Sequence, residues 1–133
     1  MSDDGLIALL SKHDFPTTLE RLTRALEAKG VTVFARVDHA AGAASVGQAL
    51  RPTTLVIFGN PAGGTPLMQA AQIAGIDLPL KALIWQDADG SVKLSYNDPH
   101  WIAARHKLGD KAGQPVAAMT ALLAGLAQQV TGS

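Results

Sequence analysis

The sequence contains no cysteine. That excludes disulfides, thiolate metal sites, cysteine-ligated iron–sulfur clusters and a cysteine nucleophile. Net charge is missing too: 11 basic residues balance 11 acidic ones, with no run of like sign. A surface for nucleic acid or an anionic membrane needs a basic patch, and none is visible. Aromatic residues make up only 5% of the chain, and two tryptophans without a basic groove are not a platform for stacking bases. No stretch reaches the ~18–20 apolar residues that cross a bilayer. The N-terminus, Met-Ser-Asp-Asp-Gly, is acidic where a signal peptide would be basic, so the expected address is the cytoplasm.

What is present is a moderately apolar chain of 133 residues, 47% hydrophobic. One domain over residues 1–133 of this size buries roughly two thirds of its unfolded surface without staples. Its organising stretch is Thr53 to Gly75. Leu55 to Phe58 is an unbroken apolar run, suited to a strand buried on both faces. Gly59, Pro61, Gly63 and Gly64 break it. Thr65-Pro66 then reads as an N-cap followed by proline at the first helical position, and Gly75 as the residue that closes the helix. A strand, a glycine-rich loop and a helix N-terminus together could receive an anion.

Before that stretch, Leu6 to Ser11 reads as a strand. A helix follows, with Pro16 near its first turn, an apolar stripe of Phe15, Leu19, Leu22 and Leu26, and Lys29-Gly30 at its end. Val31 to Asp38 alternates as a strand, with Val31, Val33, Ala35 and Val37 on one face. Ala40 to Gly47 is either a short helix or a mobile flap, since its glycines weaken an otherwise alanine-rich segment. After it, Leu80–Gln86 and Ser91–Asn97 flank Asp87-Ala88-Asp89-Gly90 as a hairpin. One face of that hairpin mixes Trp85 with lysines, which implies either a dimer interface or a helix lying over part of the sheet. Asp98-Pro99 opens a short helix. A last helix carries Val116, Met119, Leu123, Leu126 and Val130 on one seam, to be packed on its own domain or across a dimer. The order of elements predicts a two-layer α+β sandwich: a mixed, mostly antiparallel sheet of about five strands with helices packed on one face.

Three strings carry a likeness: Thr32–Ala43 (TVFARVDHAAGA), Leu50–Gly90 and Leu94–Pro99 (LSYNDP). They resemble the family known as domain of unknown function 302. The likeness covers roughly residues 6–108, and a C-terminal helix of about 114–131 lies outside its strongest part. The resemblance implies a compact α+β domain that tends to form homodimers. It implies no reaction and supplies no catalytic residues. Its recurrent strings nominate Asp38 and His39, Gly59 to Pro66, and Tyr96 to Pro99.

The candidate ligand-binding residues are therefore His39, Asn60, Gly63, Gly64, Thr65, Tyr96 and Asn97, with a small or anionic ligand at the strand-to-helix corners. The loop lacks the lysine of a nucleotide P-loop and the spacing of a dinucleotide fingerprint. His39 stands at a strand end as a candidate general base for a small hydrolase or isomerase, although Asp38 points to the opposite face and cannot orient it. His100 and His106 are six residues apart and do not share a helix face, so no metal motif and no cofactor is expected. No serine lies in a nucleophile elbow. Three readings stand: a non-enzymatic homodimeric binding module, a small enzyme using His39, and a purely structural oligomerisation protein.

Overall fold

The computed structural model describes residues 4–132. Five strands, β1 (Leu6–Leu10), β2 (Thr32–Asp38), β3 (Thr53–Gly59), β4 (Leu80–Gln86) and β5 (Val92–Asn97), form one sheet in the order β1-β5-β4-β3-β2. Every neighbouring pair is antiparallel. The edge strands β1 and β2 therefore run in the same direction. The crossover helix between them, α1 (Phe15–Ala28), traverses the whole sheet instead of joining parallel neighbours. The α+β sandwich expected from the sequence is present, and the sheet is wholly antiparallel.

Asp14 caps α1 by accepting from the Thr17 N–H at 2.9 Å, with Pro16 in the first turn where its missing donor costs nothing. Two of the residues on its stripe, Leu22 and Leu26, have no exposed surface. The long C-terminal helix α5 (Gly113–Thr131) lies beside it, burying Val116, Met119, Leu123, Leu126 and Val130. The seam that could have served a dimer is thus occupied by the chain's own core. The carbonyls at and just past the C-terminus of α5, which have no partner within the helix, are met from α1 and the turn before it. Arg21 donates to Val130 O at 3.1 Å and to Gln129 O at 2.6 Å, and His13 Nε2 lies 2.5 Å from Gly132 O.

The buried sheet residues, including Val56, Phe58, Ala82, Ile84, Leu94 and Tyr96, all lie on the face toward α1 and α5. The β3 run is not buried on both faces. Val56 and Phe58 are buried, whereas Leu55 and Ile57 are only half covered on the opposite side. β2 departs from simple alternation for a local reason. A bulge between Val33 and Ala35 leaves Phe34 unpaired and turns Ala35 and Val37 to the other face. The segment left open as helix or flap is helix α2 (His39–Ser45), capped by Asp38 accepting from the Ala41 N–H at 2.9 Å. Helix α4 (Pro99–Arg105) is capped by Asp98 as expected. Truncating Leu22 to alanine should lower stability by about 2–5 kcal/mol, read as a lower urea midpoint with an unchanged slope.

Candidate functional site

The turn after β3 is made differently from the sequence expectation. Asn60, not Thr65, is the N-cap: its Oδ1 accepts from the Ala62 N–H at 2.9 Å, and Pro61 occupies the first helical position. Helix α3 runs from Pro61 to Ala70, so Gly63 and Gly64 lie inside a helix and Pro66 follows within it. Asn60-Pro61 is as good a start signal as Thr65-Pro66, and it comes first. Gly75 does not close α3; it sits in the 3-10 turn Gln72–Asp77 that follows. The anion geometry changes accordingly. Pro61 has no N–H, that of Ala62 is held by the cap, and those of Gly63 and Gly64 reach Asn60 O at 2.8 and 3.2 Å. The donors that would cradle a phosphate are already used.

What the corner has instead is space. A cavity of about 860 Å³ opens between the end of β3, α3, the start of β4 and α5. Its walls include Phe34, Met68, Leu78, Pro79, Met119 and Leu122, with Asn60 and Gln114 as polar side chains and no ionisable residue. Gly59, Gly63, Gly64 and Gly75 also line it. A Cβ on Gly63 would first meet Met119 Cε at 3.9 Å, and one on Gly64 would first meet Leu78 Cδ1 at 3.8 Å. These are ordinary contact distances, so the backbone does not demand glycine there, and neither residue has a left-handed φ. Glycine inside a helix costs about 0.5–1 kcal/mol relative to alanine. The physical return for that cost is a wall without side chains.

Of the nominated residues, Asn60, Gly63 and Gly64 come together on this wall. The other four stand elsewhere. Thr65 is exposed on α3 outside the lining. Tyr96 is buried among the core residues of β5, and burial, with Asp98 nearby, pushes its phenol above the ordinary value. Asn97 borders a small crevice with Asp77 and Lys81. His39 begins α2, exposed and with no side-chain hydrogen bond to any described residue, while Asp38 is committed to its cap. Nothing orients the imidazole. The methionines, Leu78, Leu122 and Pro79 were absent from the nominations, and the signal that could have found them is the density of small residues in α3.

The densest polar cluster lies apart from the cavity lining. The Asp77 carboxylate accepts from Arg105 Nη1 at 3.0 and 3.1 Å and lies 2.5 Å from His106 Nε2, and Lys81 Nζ donates to Asp77 O at 3.2 Å. These bonds tie the 3-10 turn to the end of α4 and to β4. Burial pushes the Lys81 ammonium below its usual range. Among the described residues no group of three or more His, Asp or Glu is placed to hold a metal ion.

A five-stranded antiparallel sheet with one helical layer and an apolar corner cavity defines a small α+β fold. The chain belongs to the family described as "Domain of unknown function DUF302", which it matches over residues 7–126. The crystal structure of an uncharacterized conserved protein of that family from Bacillus stearothermophilus superposes with a TM-score of 0.83, at 17% identity, over 95% of this chain and 98% of that one. That likeness concerns the fold. The chain is also 47% identical over 117 residues to proteins named fluoride-specific ion channel FluC 1 from Brucella suis and Brucella abortus. The match takes in 88% of this chain but only 46% and 43% of theirs, so the chain spans less than half the length of these relatives. No helix among the described residues is long and apolar enough to cross a membrane.

Two outcomes follow from the geometry. Titration with sodium fluoride or inorganic phosphate should leave the amide shifts of Ala62, Gly63 and Gly64 in place, because those donors are engaged. Gly64→Ala should raise stability by roughly 0.5–1 kcal/mol, measured by urea unfolding; a loss would mean that the backbone itself requires glycine.

Proposed function

We propose that the chain is a non-catalytic, homodimeric binding module whose ligand is a small, uncharged and largely apolar molecule held in the corner cavity. The observation that carries this reading is the cavity's lining, which holds no ionisable residue and is opened by glycines that the backbone does not need. A volume of about 860 Å³ falls in the range of small-molecule sites, roughly 300–1,000 Å³. Met68 and Met119 give the walls adaptable side chains. Asn60 keeps its amide N–H₂ for a single polar group on the ligand, its oxygen being spent on the cap. Binding without a reaction suits a site with no base, nucleophile or metal ligand in its walls. The cytoplasm is the compartment this reading assumes.

The relatives named as fluoride channels favour one extension. On that extension, which is part of the proposal, the shared segment would serve those proteins for ligand binding, and the channel activity in their name would belong to the remainder that this chain does not match. On this reading fluoride is not the ligand of the cavity.

The neutral fluorophore N-phenyl-1-naphthylamine tests the site. Its emission should rise and shift to the blue on mixing with the protein, 1-octanol should compete it away, and Gly64→Leu, which places a side chain in the cavity, should abolish the rise while near-ultraviolet dichroism stays native. No rise with the native chain, or an equal rise with a folded Gly64→Leu variant, contradicts the assignment.

A further inference from the structure

We infer that the ligand of the corner cavity is an aliphatic molecule with a neutral head that both accepts and donates a hydrogen bond, a carboxamide or a hydroxyl. Its head is held at the mouth by Asn60 and Gln114, and its hydrocarbon tail lies on the cavity floor. This rests on the cavity reading above and names the chemistry of that ligand.

The lining is divided by depth. Leu80 and Met119, which keep 7% and 6% of their surface, form the floor with the buried Gly59. Asn60 and Gln114 are the polar side chains of the lining, and both are exposed, so they stand at the opening. They come from different helices: Asn60 caps α3, and Gln114 lies in the first turn of α5. Leu78, Leu122 and Met68 line the walls with hydrocarbon and thioether. A molecule with one polar and one apolar end fits that division in a single orientation. Reversal would set its head on a floor with no polar side chain, where its hydrogen bonds to water go unreplaced.

The state of the two side-chain amides selects the head. Asn60 Oδ1 accepts from the Ala62 N–H at 2.9 Å, so the part left for a ligand is the N–H₂ group, which can only donate. The Gln114 side chain has no hydrogen bond to any described residue and keeps both a donor and an acceptor. The mouth therefore offers donors to an acceptor atom and Gln114 Oε1 to a proton. A carboxamide or a hydroxyl uses both, whereas an ester leaves Gln114 Oε1 idle. Charged heads of either sign are disfavoured, because no ionisable residue lines the cavity. The N–H groups of Ala62, Gly63 and Gly64 are already engaged and supply no anion site.

Displacement of N-phenyl-1-naphthylamine from the full chain tests this with a constant eight-carbon acyl or alkyl tail. Octanamide and 1-octanol should compete about fivefold or more better than methyl octanoate, which accepts but cannot donate. Octanoate and octylammonium should compete more weakly than either. Lengthening hexanamide to octanamide should tighten competition about fourfold per methylene. Gln114→Leu, at an exposed position, should bring octanamide and 1-octanol to the level of the ester with the probe still bound. Asn60→Asp keeps an oxygen for the cap and exchanges the amide donors for a carboxylate, so octylammonium should overtake methyl octanoate. Equal competition by all heads, or an order that the folded variants leave unchanged, overturns the inference while the cavity reading stands. Octanoate that competes as well as octanamide overturns it too. A native chain that binds no probe fails the cavity reading itself, and this inference with it.

Discussion

The structure depends on one imbalance: a sheet with apolar residues on both faces and a chain with a single layer of helices to cover it. α1 and α5 bury most of one face, and their own stripes are consumed in doing so. The clamp of Arg21 and His13 on the last carbonyls of α5 fixes the second helix against the first. Everything of functional interest lies where this layer stops. On one side it ends short of the sheet corner and leaves the cavity. On the other side there is no layer, and Leu55, Ile57, Leu83 and Trp85 are left half covered.

The cavity shows how an absence of side chains can shape a surface. A helix that starts Pro-Ala-Gly-Gly-Thr-Pro is poor in propensity and holds together through its cap and its buried Leu67. The same composition that weakens it keeps the wall bare. Glycines after a strand are readily taken for an anion cradle, but N–H groups turned onto Asn60 O have no capacity left for an anion. What remains at the corner is apolar volume.

Much of the frame was legible in the sequence because periodicity and caps are local. The stripe of α1, the hairpin across Asp87–Gly90, the Asp98-Pro99 start of α4 and the seam of α5 all follow from residues within a few positions of one another. The misses come from competition or from tertiary context. Two Xaa-Pro start signals lie five residues apart, and the earlier won, which moved Gly63 and Gly64 from a loop into a helix. The Phe34 bulge is invisible to a count of alternating residues. Tyr96 looked like a pocket residue from its corner position, but pairing against Ala82 turns it into the core. The cavity lining is drawn from β2, β3, α3, β4 and α5 together, and no single stretch could announce it.

The central claim is that the bare-walled corner holds an uncharged apolar ligand. The chain has three methionines, of which Met68 and Met119 line the cavity. Their ε-methyl resonances are therefore direct reporters, read by carbon–proton correlation spectra during titration with 1-octanol. The account predicts saturable shifts of both methyls together. Resonances of these two methyls that stay in place through the titration, or that drift without saturating, would contradict it.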